Sequence, residues 1–287
     1  MLINRHYKPR KDDILYHYCD GDAFFAICTS KKMRFSDIFS MNDSMEIHWG
    51  YQIWEKAASE LLNEVGRAFL DEIDKIIHSS GLHVLPTASC YSRDGDVLSQ
   101  WRAYAGNGLG YALGFSARDV VRNMPVHPLR VLYSEKDQIL EAKRTILAIH
   151  KFEETEEVKY GDGFFEFCRL FACDMAAFKN PAFHEEKEVR LLHLLNFERS
   201  NNFLRLVDPG GHTIKGDVEG VPVQFRVRES MPAAFVELDF AYGSSVNPIK
   251  EVVIGPRNDV MTSAISIFLE TVGLGSVNVK RSKASYR

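Results

Sequence analysis

The 287 residues contain no CxxC pair, and the five cysteines, Cys19, Cys28, Cys90, Cys168 and Cys173, are odd in number. Both facts argue against a disulfide framework or a thiolate zinc site, and point to a reducing cytosol with cysteines serving as small buried apolar residues. Long hydrophobic runs are missing as well. The densest, Leu191 to Leu195 and Val252 to Ile254, are far too short to cross a bilayer, so no membrane association is expected. The N-terminal MLINRHYKPRKDD lacks the apolar core of a secretory signal. There is little surplus charge, with a formal net of −4, which argues against a general electrostatic grip on nucleic acid. The 19 glycines and 10 prolines show no low-complexity bias.

Several catalytic signatures are absent too. There is no GxxxxGK[ST], no GxSxG and no HExxH; His184-Glu185-Glu186 is one pair short. Gly106, Gly108 and Gly110 form GxGxG, but they precede a strand-like run rather than follow one, so they read as a turn and not as a dinucleotide loop. Kinase, serine hydrolase, zinc protease and Rossmann oxidoreductase thus lose their usual sequence support.

What is present is an average globular composition, 45% hydrophobic and 26% charged, long enough to bury a sizeable core. Strand-like runs occupy Ile14 to Tyr18, Met33 to Ser36, Leu82 to Tyr91, Gly110 to Phe115, Arg130 to Tyr133, Val189 to Leu195, Val221 to Val227, Ala234 to Leu238, Lys250 to Ile254 and Ser276 to Lys280. Helical spacing covers Ala23 to Cys28, capped by Asp20 or Asp22, then Met45 to His78 with Gly66 as a dividing point. It returns over Ser99 to Ala105, Gln138 to Lys159, Phe164 to Lys179 and Asp259 to Thr271. Asn42 and Asp43 mark a turn. Strands at both ends with helices between them predict a single α+β domain over 1–287, with a helical insertion at about 45–80 and a flexible loop at about 196–217.

Three clusters could carry chemistry. In the first, His17 sits inside the apolar run Leu15-Tyr16-His17-Tyr18; it is either a satisfied core histidine or an imidazole bonding a ligand hydroxyl in a cleft. In the second, Ser89-Cys90-Tyr91-Ser92 precedes Ser99 to Tyr104, where Trp101 and Tyr104 share a helical face. These two aromatics either anchor their helix or stack on a planar ligand. In the third, Glu185, Glu186 and Glu188 precede the apolar strand. Strand alternation would put Glu186, Glu188 and Arg190 on one face. Such carboxylates can be a solvated strand start, yet Glu188 and Arg190 beside an apolar run are costly unless satisfied or used.

Together the motifs LYHY (15–18), RFSD (34–37), MND (41–43) with Glu46, SCYS (89–92), WRAYA (101–105), GYALGF (110–115), NPAFHEEKEVRL (180–191), IKEVVIGP (249–256) and SKASYR (282–287) resemble an uncharacterised bacterial family of unknown function. More distantly, the chain resembles the ADP-ribosyltransferase superfamily. That likeness rests on His17 in the first strand and Glu186-Lys187-Glu188 ahead of a late strand. It implies a split, mixed or antiparallel sheet with several helices, and NAD as substrate. Glu188 would stabilise the developing positive charge at the nicotinamide ribose and Glu186 would orient the acceptor. His17 would hold the adenosine ribose. Tyr18, Tyr91, Trp101 or Tyr104 would stack on a base, Ser36 and Ser89 would bond hydroxyls, and Arg190 would pair with pyrophosphate or with a glutamate. No metal is implied. Tyr18 and Cys19 depart from the small polar pair that usually follows the histidine. The resemblance implies modification of a macromolecule or hydrolysis of NAD, with toxin or antiphage roles by analogy. Two other readings stand beside it: a catalytically inactive nucleotide-binding or sensor module, and a metal-dependent hydrolase or nuclease using Glu186 and Glu188.

Overall fold

The computed structural model describes residues 5–41, 45–79 and 83–286, and of 45–47 the backbone alone. Asn42, Asp43, Leu82, Arg287 and the side chain of Glu46 lie outside the described residues. In chain order the elements are β1 (Ile14–Cys19), α1 (Gly21–Ser30), β2 (Lys32–Asp37), α2 (Met45–Val65), α3 (Arg67–Ser79), β3 (Val84–Ser92) and α4 (Leu98–Tyr104). There follow β4 (Tyr111–Ser116), α5 (Ala117–Asn123), β5 (His127–Arg130), α6 (Glu135–Thr155), α7 (Asp162–Met175), β6 (Glu188–Arg199) and β7 (Leu204–Val207). The last elements are β8 (Gly211–Thr213), β9 (Gly216–Val218), β10 (Gln224–Arg228), β11 (Met231–Asp239), β12 (Ile249–Ile254), α8 (Thr262–Thr271) and β13 (Asn278–Arg281).

The architecture is a single α+β domain built on a mixed, mostly antiparallel sheet. Its strands run β10-β11-β2-β3-β1-β4-β12-β13, with β6 paired to β3 and carrying β5 and β7. Strand β6 pairs with β3 from Val84↔Asn196 to Ser92↔Glu188 and so fills one edge of β3 along its whole length. The other edge is shared. Strand β2 takes it at Thr87 and Ala88, and β1 takes it at Ser92. Between those contacts, at Ser89, Cys90 and Tyr91, no strand among the described residues covers the edge, so β1 and β2 diverge and leave a cleft spanned by α1. Sequence chemistry supports this parting. The carboxylate of Asp20 caps α1 by accepting from the Ala23 N–H at 2.8 Å, and a short helix then turns the chain back into β2.

Two large cores and two smaller clusters hold the fold. One buries the apolar faces of β1, β2, β4, β6, β11 and β12 with α1, α5 and α8. The second joins α2, α3, α6 and α7, where Ile53, Ile73, Ile146 and Phe171 interdigitate. Gly66, at a φ of +83°, separates α2 from α3; only glycine adopts that conformation without strain. The 106–110 glycines form a turn before β4, and a Cβ on Gly110 would collide with the Cys19 carbonyl.

Two expected elements differ. The strand read at Arg130 to Tyr133 lies instead at His127–Arg130, because both its edges are used there. One pairs with β6, and the other receives the N-terminal segment through Tyr7 N–H to Pro128 O, 2.8 Å, and the His6↔Leu129 bridge. The stretch 196–217, read as a loop, holds the end of β6, β7, and the β8–β9 hairpin. It is tied down by the buried pair His193 and Asp208, whose Nε2 and Oδ1 are 2.7 Å apart, with Asp208 also accepting from the Gly210 and Val221 N–H groups.

Candidate functional site

A cavity of about 360 Å³ opens where β1 and β2 part. His17, Tyr18, Ser36, Ser89, Tyr91, Tyr104, Glu186, Glu188 and Arg190 all line it, gathered from β1, β2, β3, α4 and the start of β6. Trp101 does not. It is fully buried beneath Tyr18, edge-on at 4.9 Å, and its indole N–H donates to Asp96 Oδ1 at 2.8 Å. The shared face with Tyr104 therefore fails: α4 turns Trp101 inward as its anchor and leaves Tyr104 at the cleft.

At one end lies a quartet of buried charges. The Arg190 fork donates to both oxygens of Glu188, Nε to Oε1 at 2.8 Å and Nη2 to Oε2 at 3.2 Å. Lys179 Nζ bridges the carboxylates, 2.6 Å from Glu186 Oε2 and 3.2 Å from Glu188 Oε2. Tyr104 donates to Glu186 Oε1 at 3.3 Å. Burial by itself would push the Glu188 carboxyl up, but Arg190 and Lys179 together outweigh it and hold it at about 2. Burial does dominate at Glu186, whose carboxyl is raised even though Lys179 opposes the shift. Neighbouring groups thus fall to opposite sides of the ordinary carboxylate range. Of the two partners expected for Arg190, pyrophosphate or a glutamate, the free protein supplies the glutamate.

The carboxylates do not meet by strand alternation. Residues Pro181–Glu186 form a 3-10 turn whose cap is Asn180, accepting from the Ala182 N–H at 2.9 Å. Lys187 then adopts a left-handed φ of +46°, and only Glu188 begins the strand. The turn leaves Glu185 exposed and Glu186 buried.

The wall at the open edge of β3 is chemically different. His17 Nδ1 lies 2.9 Å from the Cys90 carbonyl, on the backbone stretch that no strand covers. A carbonyl can only accept, so Nδ1 carries the proton. Burial lowers the His17 pKa, with the Cys90 carbonyl working the other way, so the ring is neutral near pH 7 and Nε2 is an acceptor. Beside it, Ser89 and Tyr91 are 2% and 1% exposed. Their hydroxyls neighbour each other, yet neither finds hydrogen-bond geometry with any described group. Buried hydroxyls without partners are uncommon and costly. Tyr18 is not available in that way: its hydroxyl donates to the Asp94 carbonyl and accepts from the Val97 N–H, so it offers the cleft only its ring.

The far rim is basic. Lys32, Arg34, Arg226 and Arg228 border the same cavity. Arg34 is paired with Glu237 at 2.9 Å and lies over the Phe235 ring. Arg226 reaches Ser36 Oγ only at 3.5 Å. Its pKa is lowered by partial burial and by the repulsion of Arg34 and Arg228.

Sequence reasoning missed Lys179 and the arginines of β10. Lys179 carried a local signal: a lysine beside Phe178 and immediately before the Asn-Pro that starts the turn. Arg226 and Arg228 alternate with Phe225 and Val227, a pattern that reads as an ordinary exposed strand.

The cleft can do three things at once: accept and donate hydrogen bonds to sugar-like hydroxyls at its wall, take an anion at its rim, and present an ionised carboxylate at its other end. Among the described residues no group of three His, Cys, Asp or Glu side chains is placed to hold a metal ion.

Residues 100–191 match a family model described as Protein of unknown function (DUF2971). This stretch is similar to that family, and the match spans under half of the chain. The DUF2971 match runs from α4 to the start of β6, so it contains Tyr104, Lys179, Glu186, Glu188 and Arg190. His17, Ser36, Ser89, Tyr91 and the β10 arginines lie outside it. No curated protein and no solved structure matches the chain.

Proposed function

We propose that this chain is an ADP-ribosyltransferase-like enzyme that cleaves NAD at the nicotinamide–ribose bond and passes the ADP-ribosyl group to a macromolecule or to water. The observation that carries the reading is the single cleft in which a neutral His17 and two hydroxyls without hydrogen-bond geometry to any described group face the same space as the ionised Glu188. Breaking that bond leaves its electron pair on nicotinamide and an oxocarbenium-like centre on the ribose, as in glycoside cleavage. A carboxylate held at about 2 is negative at every physiological pH, which suits electrostatic stabilisation of that centre and excludes Glu188 as the general acid. Glu186, with its carboxyl raised by burial, is the better proton acceptor. It would take the proton that the incoming nucleophile loses as it bonds the ribose carbon. His17 Nε2 would accept a ribose O–H, and Ser89 and Tyr91 would satisfy their hydroxyls on the ligand. The rim around Arg226 would receive the diphosphate, relieving the repulsion among its arginines.

One observation favours a second reading. Arg190 and Lys179 already neutralise both glutamates, which suits a module that binds the nucleotide without turning it over. Nicotinamide release from NAD, followed for the wild type and for Glu188→Gln, separates the two. The enzyme reading expects release by the wild type and a loss on the order of 10²- to 10³-fold in the variant. NAD binding with no release by the wild type would establish the sensor reading, and absence of both would remove NAD from the account.

A further inference from the structure

A second hollow, of about 550 Å³, lies between the segment before β1 and the ends of β3 and β5. Lys8, Arg10, Arg93 and Arg130 converge on it, against Asp12 and Asp13. Two positive charges are thus left uncompensated by the lining. None of the four cations makes an ion pair within 4 Å among the described residues. Asp13 is already held in place by hydrogen bonds. It accepts from the Tyr7 hydroxyl at 2.9 Å and from the Arg10 N–H at 3.0 Å, which closes the turn that carries Arg10. The Arg10 N–H, ahead of an opposing contribution from burial, keeps Asp13 ionised below the usual carboxylate range.

Arg93 and Arg130 are set by the sheet. Arg93 follows β3 and its N–H donates to the Lys187 carbonyl at 3.2 Å. Arg130 ends β5 opposite Val189, and its N–H donates to the Arg5 carbonyl at 2.9 Å. Both line the hollow beside Tyr7, whose hydroxyl pKa burial raises and their charges oppose. Guanidinium groups on fixed backbone, with room for more than a single ion, match linked phosphate groups better than a lone carboxylate. We infer that this hollow is an anion site, separate from the β1–β2 cleft, for a small ligand bearing two or more linked phosphates. The site does not depend on the NAD reading.

Binding of inorganic pyrophosphate and, separately, of ATP is measured by calorimetry in the Arg226→Gln protein, so that the cleft rim contributes least. The expected result is saturable binding of pyrophosphate that weakens about tenfold or more in Arg93→Gln/Arg130→Gln. The charge-keeping Arg93→Lys/Arg130→Lys pair should recover part of it, and the unliganded melting temperature should be unchanged, since both side chains are exposed. Equal affinity for the two probes would identify a free inorganic polyphosphate as the ligand source; tighter, equally Arg93-dependent binding of ATP would identify a nucleotide. Absence of saturable binding of either probe, or binding that the double glutamine variant leaves intact, would overturn the inference.

Discussion

The two ends of the cleft use the same kinds of side chain in opposite balance. At the β6 end, Glu186 and Glu188 are matched by Lys179 and Arg190, all buried and within hydrogen-bonding distance. At the β2–β10 rim, Arg226 leans against Arg34 and Arg228 in partly open water, and the paired Glu237 serves Arg34. The buried quartet is matched in charge and tied further by the Tyr104 hydroxyl and the Ala176 carbonyl, so its cost is met inside the protein and it can hold one geometry. At the rim, by contrast, cations crowd one another, and Arg34 and Arg228 lower the pKa of Arg226 beyond what its partial burial does. In this account the rim binds and the quartet reacts.

Breaking the quartet has the largest expected effect. Arg190→Leu strands Glu188 with one fewer cation in a buried site and should lower stability by about 3–5 kcal/mol, read by denaturant unfolding. The pH dependence follows from the same pair. The folded-state carboxyl of Glu188 lies at about 2, below its ordinary 4.5, so the stability it contributes is full above about 4.5 and is lost as the pH falls towards 2. Melting temperatures measured across that window should fall more steeply in the wild type than in Arg190→Leu.

At the rim, Arg226→Gln should weaken NAD binding about tenfold while leaving stability unchanged, and the difference should shrink as salt is raised. A variant that binds NAD as tightly as the wild type would dissolve the contrast between the two ends.

The smallest effect belongs to the wall. Tyr91→Phe removes a hydroxyl that finds no hydrogen-bond geometry among the described residues, so stability should stay level or rise by up to about 1 kcal/mol while NAD affinity falls by about 1 kcal/mol. A clear loss of stability would show that the hydroxyl is satisfied without a ligand.

The parts of the site that were legible are those whose chemistry is local. His17 in an apolar strand, Ser89 and Tyr91 in another, and Glu188 with Arg190 at a strand start each broke the expected pattern of their own segment. What escaped depended on distance or on fine backbone geometry. Lys179 acts on Glu186 and Glu188 because a 3-10 turn and the left-handed Lys187 fold the chain back, which strand alternation does not anticipate. Arg226 reaches the cleft only because β11 pairs with β2, nearly two hundred residues away in sequence. For Trp101 the helical spacing allows either an anchor or a ligand-stacking ring, and the anchor holds: Asp96 offers its indole a buried partner and α4 rolls it inward, so the stacking role implied by the resemblance fails. The same limit applies to 196–217, where polar composition suggested a loop and the His193–Asp208 pair organises strands instead.

The division of labour between rim and quartet is tested most directly by the steady-state kinetics of nicotinamide release, measured side by side for Arg226→Gln and Glu188→Gln. The account predicts a raised KM with little change in kcat for the first, and a kcat lowered on the order of 10²- to 10³-fold with NAD binding retained for the second. A kcat loss at Arg226 with Glu188→Gln fully active would contradict it.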